Sequence, residues 1–146
     1  MSLSHSPEDI IRYLLTDLGL GTVPSASGDW PVYATQEPDT PDNVITVYGT
    51  EGVKHGRDFV ESKMDEHFGI QIRIRATSPT VGHVKANAIA TALDVTAYQD
   101  SVTIGSSVYF VHSVNRKNGP LNLGKEPGSR RHLFTINALT TLRQTT

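Results

Sequence analysis

Five side chains of metal-binding type fall between positions 55 and 67: His55, Asp58, Asp65, Glu66 and His67. A metal centre needs its ligands at a spacing that one helix or turn can gather, as in His-Glu-x-x-His, and no such spacing occurs here. A polar connection collects these residue types by composition alone, so no metal or other cofactor is expected. Gly19-Leu-Gly21 has the glycines of a phosphate-binding loop but follows a helix, where that loop must precede one. Neither a Gly-x-Ser-x-Gly elbow nor a Walker lysine is present. Cysteine is absent, which removes disulfides, thiolate zinc sites and a cysteine nucleophile together. What stays open to catalysis is a site assembled in space from His55, His67, His112 or His132. Arg73 and Arg75 with Tyr33, Tyr48 or Tyr109 could form a stacking platform for single-stranded nucleic acid. The formal net charge of −2 and the missing interleaved aromatics favour a solvated or subunit-facing sheet side instead.

The elements that must position these groups are legible in part. Ser6-Pro7-Glu8-Asp9 is a helix start, with Ser6 as cap, Pro7 at the first helical position and Asp9 able to reach back. Ile10, Ile11, Leu14, Leu15 and Leu18 make one apolar stripe, and Gly19 can close the helix in the left-handed region. Trp30 to Ala34 is predicted as a short edge strand, because Pro31 cannot donate to a central ladder. Glu37 to Asp42 is a turn segment and Asn43 to Tyr48 a strand. Gly49 to His67 is polar, holds three glycines and has no apolar stripe, so an extended arm or loop is predicted over 49–67. In Phe68-Gly-Ile-Gln-Ile-Arg-Ile-Arg-Ala76, Ile70, Ile72 and Ile74 alternate with Gln71, Arg73 and Arg75, a strand with one dry and one charged side.

Ser78-Pro79 repeats the helix-start chemistry, and Val81, Val84, Ala88, Ile89, Ala92 and Leu93 are the expected buried face. Val102 to Gly105 and Val108 to Val114 predict a hairpin turning at Gly105-Ser106. A basic Gly/Pro-rich loop is expected over 115–129, then a long strand from Arg130 to Arg143. The order predicts one α+β domain spanning 1–146, two helices packed on a mostly antiparallel β-sheet, with the long arm between the second and third strands. At 146 residues there is room for one core. The longest apolar run is four residues and the first residues lack a basic stretch before an apolar one. Neither a signal peptide nor a membrane partner is expected.

Charge is segregated along the chain. Between Glu37 and Glu66 there are eight acidic and three basic residues, and from Arg116 to Arg143 six basic and one acidic. Two such segments suit a head-to-tail contact between identical subunits, which needs two different, complementary surfaces.

Several of these segments together resemble the tail terminator (minor tail, tail completion) proteins of long-tailed bacteriophages. They are Ser6 to Leu15, Pro41 to Tyr48, Gly69 to Arg75 with the helix Lys85 to Leu93, and Arg131 to Leu139. The resemblance implies a structural, non-enzymatic virion protein at the head-proximal end of the tail, assembled in the bacterial cytoplasm. It implies a hexameric ring that ends tube polymerisation and docks the head connector. Its partners would be further copies of itself, the tail tube protein and the head-tail connector protein, with no sequence-specific nucleic acid. A head-tail connector (stopper or head completion) component is the alternative. A small enzyme or a single-strand nucleic-acid binder is more remote. From charge segregation, Asp58, Glu61, Asp65 and Glu66 are expected to face Arg116, Lys117, Arg130 or Arg131 of a neighbour, with Arg73 and Arg75 as further interface residues.

Overall fold

A computed structural model describes residues 3–24, 28–57, 64–95 and 100–145, and side chains throughout these except at 51–57, 64–66 and 100. The order is α1 (Pro7–Asp17), β1 (Val32–Ala34), β2 (Val44–Arg57), β3 (Met64–Ala76), α2 (Pro79–Val95), β4 (Asp100–Ile104), β5 (Ser107–Arg116), β6 (Leu121–Lys125) and β7 (His132–Gln144). The class is α+β, as expected.

Both ends of α1 are closed by the residues its sequence offers. Ser6 Oγ accepts from the Asp9 amide at 3.3 Å and donates to Asp9 Oδ2 at 3.1 Å. At the other end Gly19 has φ +75°, and the Gly19 and Leu20 amides bond back to Thr16 and Leu15 carbonyls, a Schellman closure. The stripe Ile10, Ile11, Leu14 and Leu15 is fully buried.

The strands form one seven-stranded sheet in the order β1-β2-β3-β7-β5-β4, with β6 added beside β7. Only the β1–β2 pair is parallel, and β1 lies at an edge as Pro31 demands. β7 is the central strand. One of its sides pairs with β3 along Leu142 to His132. Its other side is shared, by β6 over His132 to Thr135 and by β5 over Ala138 to Gln144. Because α1 packs on β1 and β2 at one end of the order and on β4 at the other, the sheet curls around it. Ile70, Ile72 and Ile74 of β3 join Phe134, Ile136 and Ala138 of β7 in a single core with both helices.

Two expectations, the 115–129 loop and the buried face of α2, are corrected. Over 49–67, expected as an extended arm or loop, β2 runs on to Arg57 and β3 begins at Met64. These extensions pair at Val53–His67, Lys54–Glu66 and Arg57–Met64 across two register shifts. Backbone pairing needs no apolar stripe, so a polar sequence can carry it; residues 58–63 lie outside the described residues. The 115–129 loop contains a strand, β6, with a register shift between Asn122 and Gly124. The face of α2 is also rotated from the one predicted: Gly82, Ala86, Ile89, Ala90 and Leu93 are buried, while Val81 is 42% and Val84 63% exposed and Ala88 is exposed.

That rotation follows from size. Gly82, Ala86 and Ala90 recur every fourth residue and form a ridge of minimal side chains along which the helix can approach the sheet. A Cβ at Gly82 would lie 2.4 Å from Phe134 Cε2, 2.8 Å from Phe134 Cδ2 and 3.1 Å from the Ala76 Cβ. Bulkier valines on that side would hold the helix off Phe134. Replacing Gly82 by Ala should therefore destabilise the fold. Overpacking costs about 1–3 kcal/mol and outweighs the gain in helix propensity, at most about 1 kcal/mol. A lower urea midpoint at unchanged slope is the expected result.

Candidate interaction surface

The outward row of β3 decides what the charged side of the sheet does. Gln71, Arg73 and Arg75 do alternate with the buried isoleucines, but this side is not open along its length. Arg75 is only 2% exposed. Its guanidinium donates to the carbonyls of Asp39, Pro41 and Asp42 at 3.2, 2.6 and 3.2 Å and lies 3.7 Å from the Glu37 carboxylate. Arg73 Nε lies 3.5 Å from the other Glu37 oxygen. The turn of residues 37–42, where Thr40–Pro41 is cis, is thus fastened over the end of the sheet by a buried cation. Burial, reinforced by Glu37, pushes the Tyr48 phenol above its usual pKa, so it stands beside this pair as a neutral group.

Arg131 fastens the same turn from the other side. It donates to the Asp39 carbonyl at 2.6 Å and to Glu126 Oε1 at 2.9 Å, with Asp39 and Asp42 carboxylates at 3.6 and 3.7 Å. Burial works against its charge, yet Glu126, Asp39 and Asp42 together outweigh burial and hold its pKa above the usual value. Arg116 forms a two-point pair with Asp94 at the end of α2, at 2.9 and 2.5 Å. The hydrogen bonds from Arg116 hold the Asp94 carboxyl below the usual carboxylate range.

The six cations of the 116–143 segment thus divide by partner. Arg116 and Arg131 are ion-paired within the subunit, and Arg143 lies over the Phe110 ring, 5.9 Å from its centroid. Lys117, Lys125 and Arg130 form no ion pair among the described residues. Arg130 lines an open cleft of about 510 Å³ with Asp39, Asp42, Thr77, Ser129 and Arg131. A second open groove of about 510 Å³ runs between the start of α2 and β6, lined by His83, Val84, Pro120, Asn122 and Phe134 among others. Of the acidic residues expected at the interface, Asp58 and Glu61 lie outside the described residues. Asp65 and Glu66 are in β3 with side chains outside the description.

Sequence reasoning missed the partners. Glu37, Asp39 and Asp42 counted towards an acidic segment, yet they neutralise Arg73, Arg75 and Arg131 across gaps of more than thirty residues, at a range no local pattern reports. Tyr109 is fully buried in the core with its hydroxyl 2.5 Å from His5 Nδ1, so it cannot belong to an outer stacking platform. Neither cleft is lined by His67, His112 or His132. His67 Nδ1 meets Thr141 Oγ1 at 3.1 Å, and His112 packs edge-on against Phe110. Among the described residues no three His, Asp or Glu side chains gather as a metal site.

Two substitutions separate the fastening cations from the free ones. Arg75→Met removes one partner of a buried pair, leaving three carbonyls unmet and Glu37 with Arg73 alone, a loss of about 3–5 kcal/mol. Arg130→Glu changes an unpaired surface charge and should move stability by less than about 0.5 kcal/mol. Chemical denaturation of both variants checks the contrast; equal losses would contradict it.

No curated protein matches this chain. Its sequence does match the family described as bacteriophage tail terminator protein over residues 14–142, from the second half of α1 to near the end of β7. Membership makes it a structural component of the virion that associates with other tail proteins, and no helix of the described residues is long and apolar enough to cross a membrane. With nearly the whole curled sheet, all of α2 and the end of α1 inside the match, the chain belongs to the bacteriophage tail terminator family.

Proposed function

We propose that copies of this chain close head to tail into a hexameric ring at the head-proximal end of the tail tube, where the ring ends tube polymerisation and presents a docking face to the head connector. The family match carries this reading. A heterologous contact closes into a ring when its rotation permits and otherwise propagates, so the subunit needs two unlike surfaces.

The division of charges supports it. Once Glu37, Asp39 and Asp42 are spent on internal arginines, Glu51, Asp58, Glu61, Asp65 and Glu66 remain in the acidic segment against Lys54, Arg57 and Lys63. On the basic segment Lys117 and Arg130, with Lys125 added, are cations without an ion pair among the described residues. In this reading Asp58, Glu61, Asp65 and Glu66 of one subunit face Lys117 and Arg130 of the next. Arg73, Arg75, Arg116 and Arg131 shape the surface by holding its turns.

Native mass spectrometry across a concentration series, with and without purified tail tube protein, tests the assembly. The expected species is near 95 kDa, six copies of the 15.9 kDa chain. Joint reversal of Lys117 and Arg130 to Glu should lower its yield while leaving the circular dichroism spectrum and unfolding midpoint in place. High salt should act the same way, because 1 M salt shortens the screening length to about 3 Å. A chain that stays monomeric under both conditions rejects the ring. A ring insensitive to charge reversal rejects this pairing.

A further inference from the structure

The joint between β5 and β6 holds a chemistry that neither the fold nor the ring reading uses. Between Arg116 and Leu121 the chain reads Lys117-Asn118-Gly119-Pro120, and this is the only Asn-Gly pair in the sequence. An asparagine side-chain amide is open to attack by the backbone nitrogen of the residue that follows it. A side chain on that following residue hinders the approach, and glycine has none. Gly119 is exposed, and a Cβ on it would meet nothing within 4 Å.

The fold orients this pair. Asn118 Nδ2 donates to the Gly119 carbonyl at 2.5 Å, so the side-chain amide is folded forward over the residue that must attack it. Asn118 Oδ1 accepts from the Asn137 amide of β7 at 3.1 Å, taking the place of a backbone carbonyl where the ladder is interrupted. The Lys117 amide donates to the Asn137 carbonyl at 2.8 Å, and Arg116 Nη1 donates to the Asn118 carbonyl at 3.2 Å, which fixes the backbone around the side chain. When a nucleophile adds to Cγ, negative charge develops on Oδ1, where the Asn137 N–H is already aimed. A donor placed at a developing oxyanion favours the transition state over the ground state.

We infer that Asn118 is a site of spontaneous deamidation built into the folded subunit. The Gly119 nitrogen bonds to Asn118 Cγ, the Cγ–Nδ2 bond breaks, and ammonia leaves with the proton given up by the Gly119 amide. Water then opens the resulting succinimide at either carbonyl, giving aspartate or isoaspartate. The net change is addition of water and loss of ammonia, with nothing oxidised or reduced. The product carries a carboxylate where a neutral amide stood. It loses the donor to the Gly119 carbonyl and sets a negative charge beside Lys117, a cation without an ion pair among the described residues. The surface at this joint therefore becomes less basic as the protein ages.

Peptide mapping of the folded protein held at neutral and at mildly alkaline pH, with ammonia release followed in parallel, tests this. The expected products are aspartate and isoaspartate at position 118, in large excess over change at Asn43, Asn87, Asn115, Asn122 and Asn137, with faster loss at the higher pH. The folded chain should react at least about tenfold faster than the same chain in urea, because only the fold supplies the Asn137 donor. Gly119→Ala, for which the structure has room, should keep its unfolding midpoint and slow the loss by at least about tenfold, as a methyl beside the attacking nitrogen spoils its approach. Asn118 left intact in the folded chain, or lost no faster there than in urea, overturns the inference. Undiminished loss in Gly119→Ala overturns it too, since the Gly119 nitrogen is then not the attacking group.

Discussion

Burial of the inward side of β7 is the constraint on which the other elements depend. Phe134, Ile136, Ala138 and Leu142 point into the core, and the strand that carries them is hydrogen-bonded on both sides by three others. Shared between β5 and β6, its second side fixes where the C-terminal hairpin ends and where the 121–125 strand begins. Phe134 then sets the height of α2, because only a helix with Gly82 at that point can lie close to the ring. Since β7 is contributed by the last residues of the chain, the sheet joins its two halves through contacts distant in sequence, the arrangement that closes latest.

A second dependency is electrostatic. Arg75 is a cation taken out of water beside the core, and its only route to stability is complete satisfaction by carbonyls and a carboxylate. The 37–42 turn supplies them, and Arg131 holds the same turn from β7's side. Such a pair adds little net stability over an apolar replacement, but it fixes the path of an otherwise irregular segment. The outer side of the sheet is in consequence partly roofed by its own loop and not open for a ligand across its full width.

These two dependencies shape what the surface has left to offer. The close helix ridge turns valines outward, and the internal pairing of Arg116 and Arg131 leaves Lys117, Lys125 and Arg130 as cations of the 116–143 segment without an ion pair among the described residues. For a member of the tail terminator family, which associates with other tail proteins, that combination is suited to a neighbouring protein. The proposed ring draws on these groups.

The sequence by itself determined the local elements: the first helix with both its caps, the alternation of β3 and β7, the 102–114 hairpin, the α+β class and the family. Each rests on interactions within a few residues, which spacing encodes directly. Its partial failures share one cause. The strand hidden in the basic loop is held by backbone bonds to β7, and backbone bonds leave no trace in side-chain type. The buried face of α2 went to its smallest residues because a facing aromatic left no room for larger ones, a fact about Phe134 and not about the helix. The arginines read as one surface divided into fastened and free, because carboxylates as far as 92 positions away were folded against some and not others. Only the tertiary structure decided this, since burial and charge pairing are properties of neighbours in space.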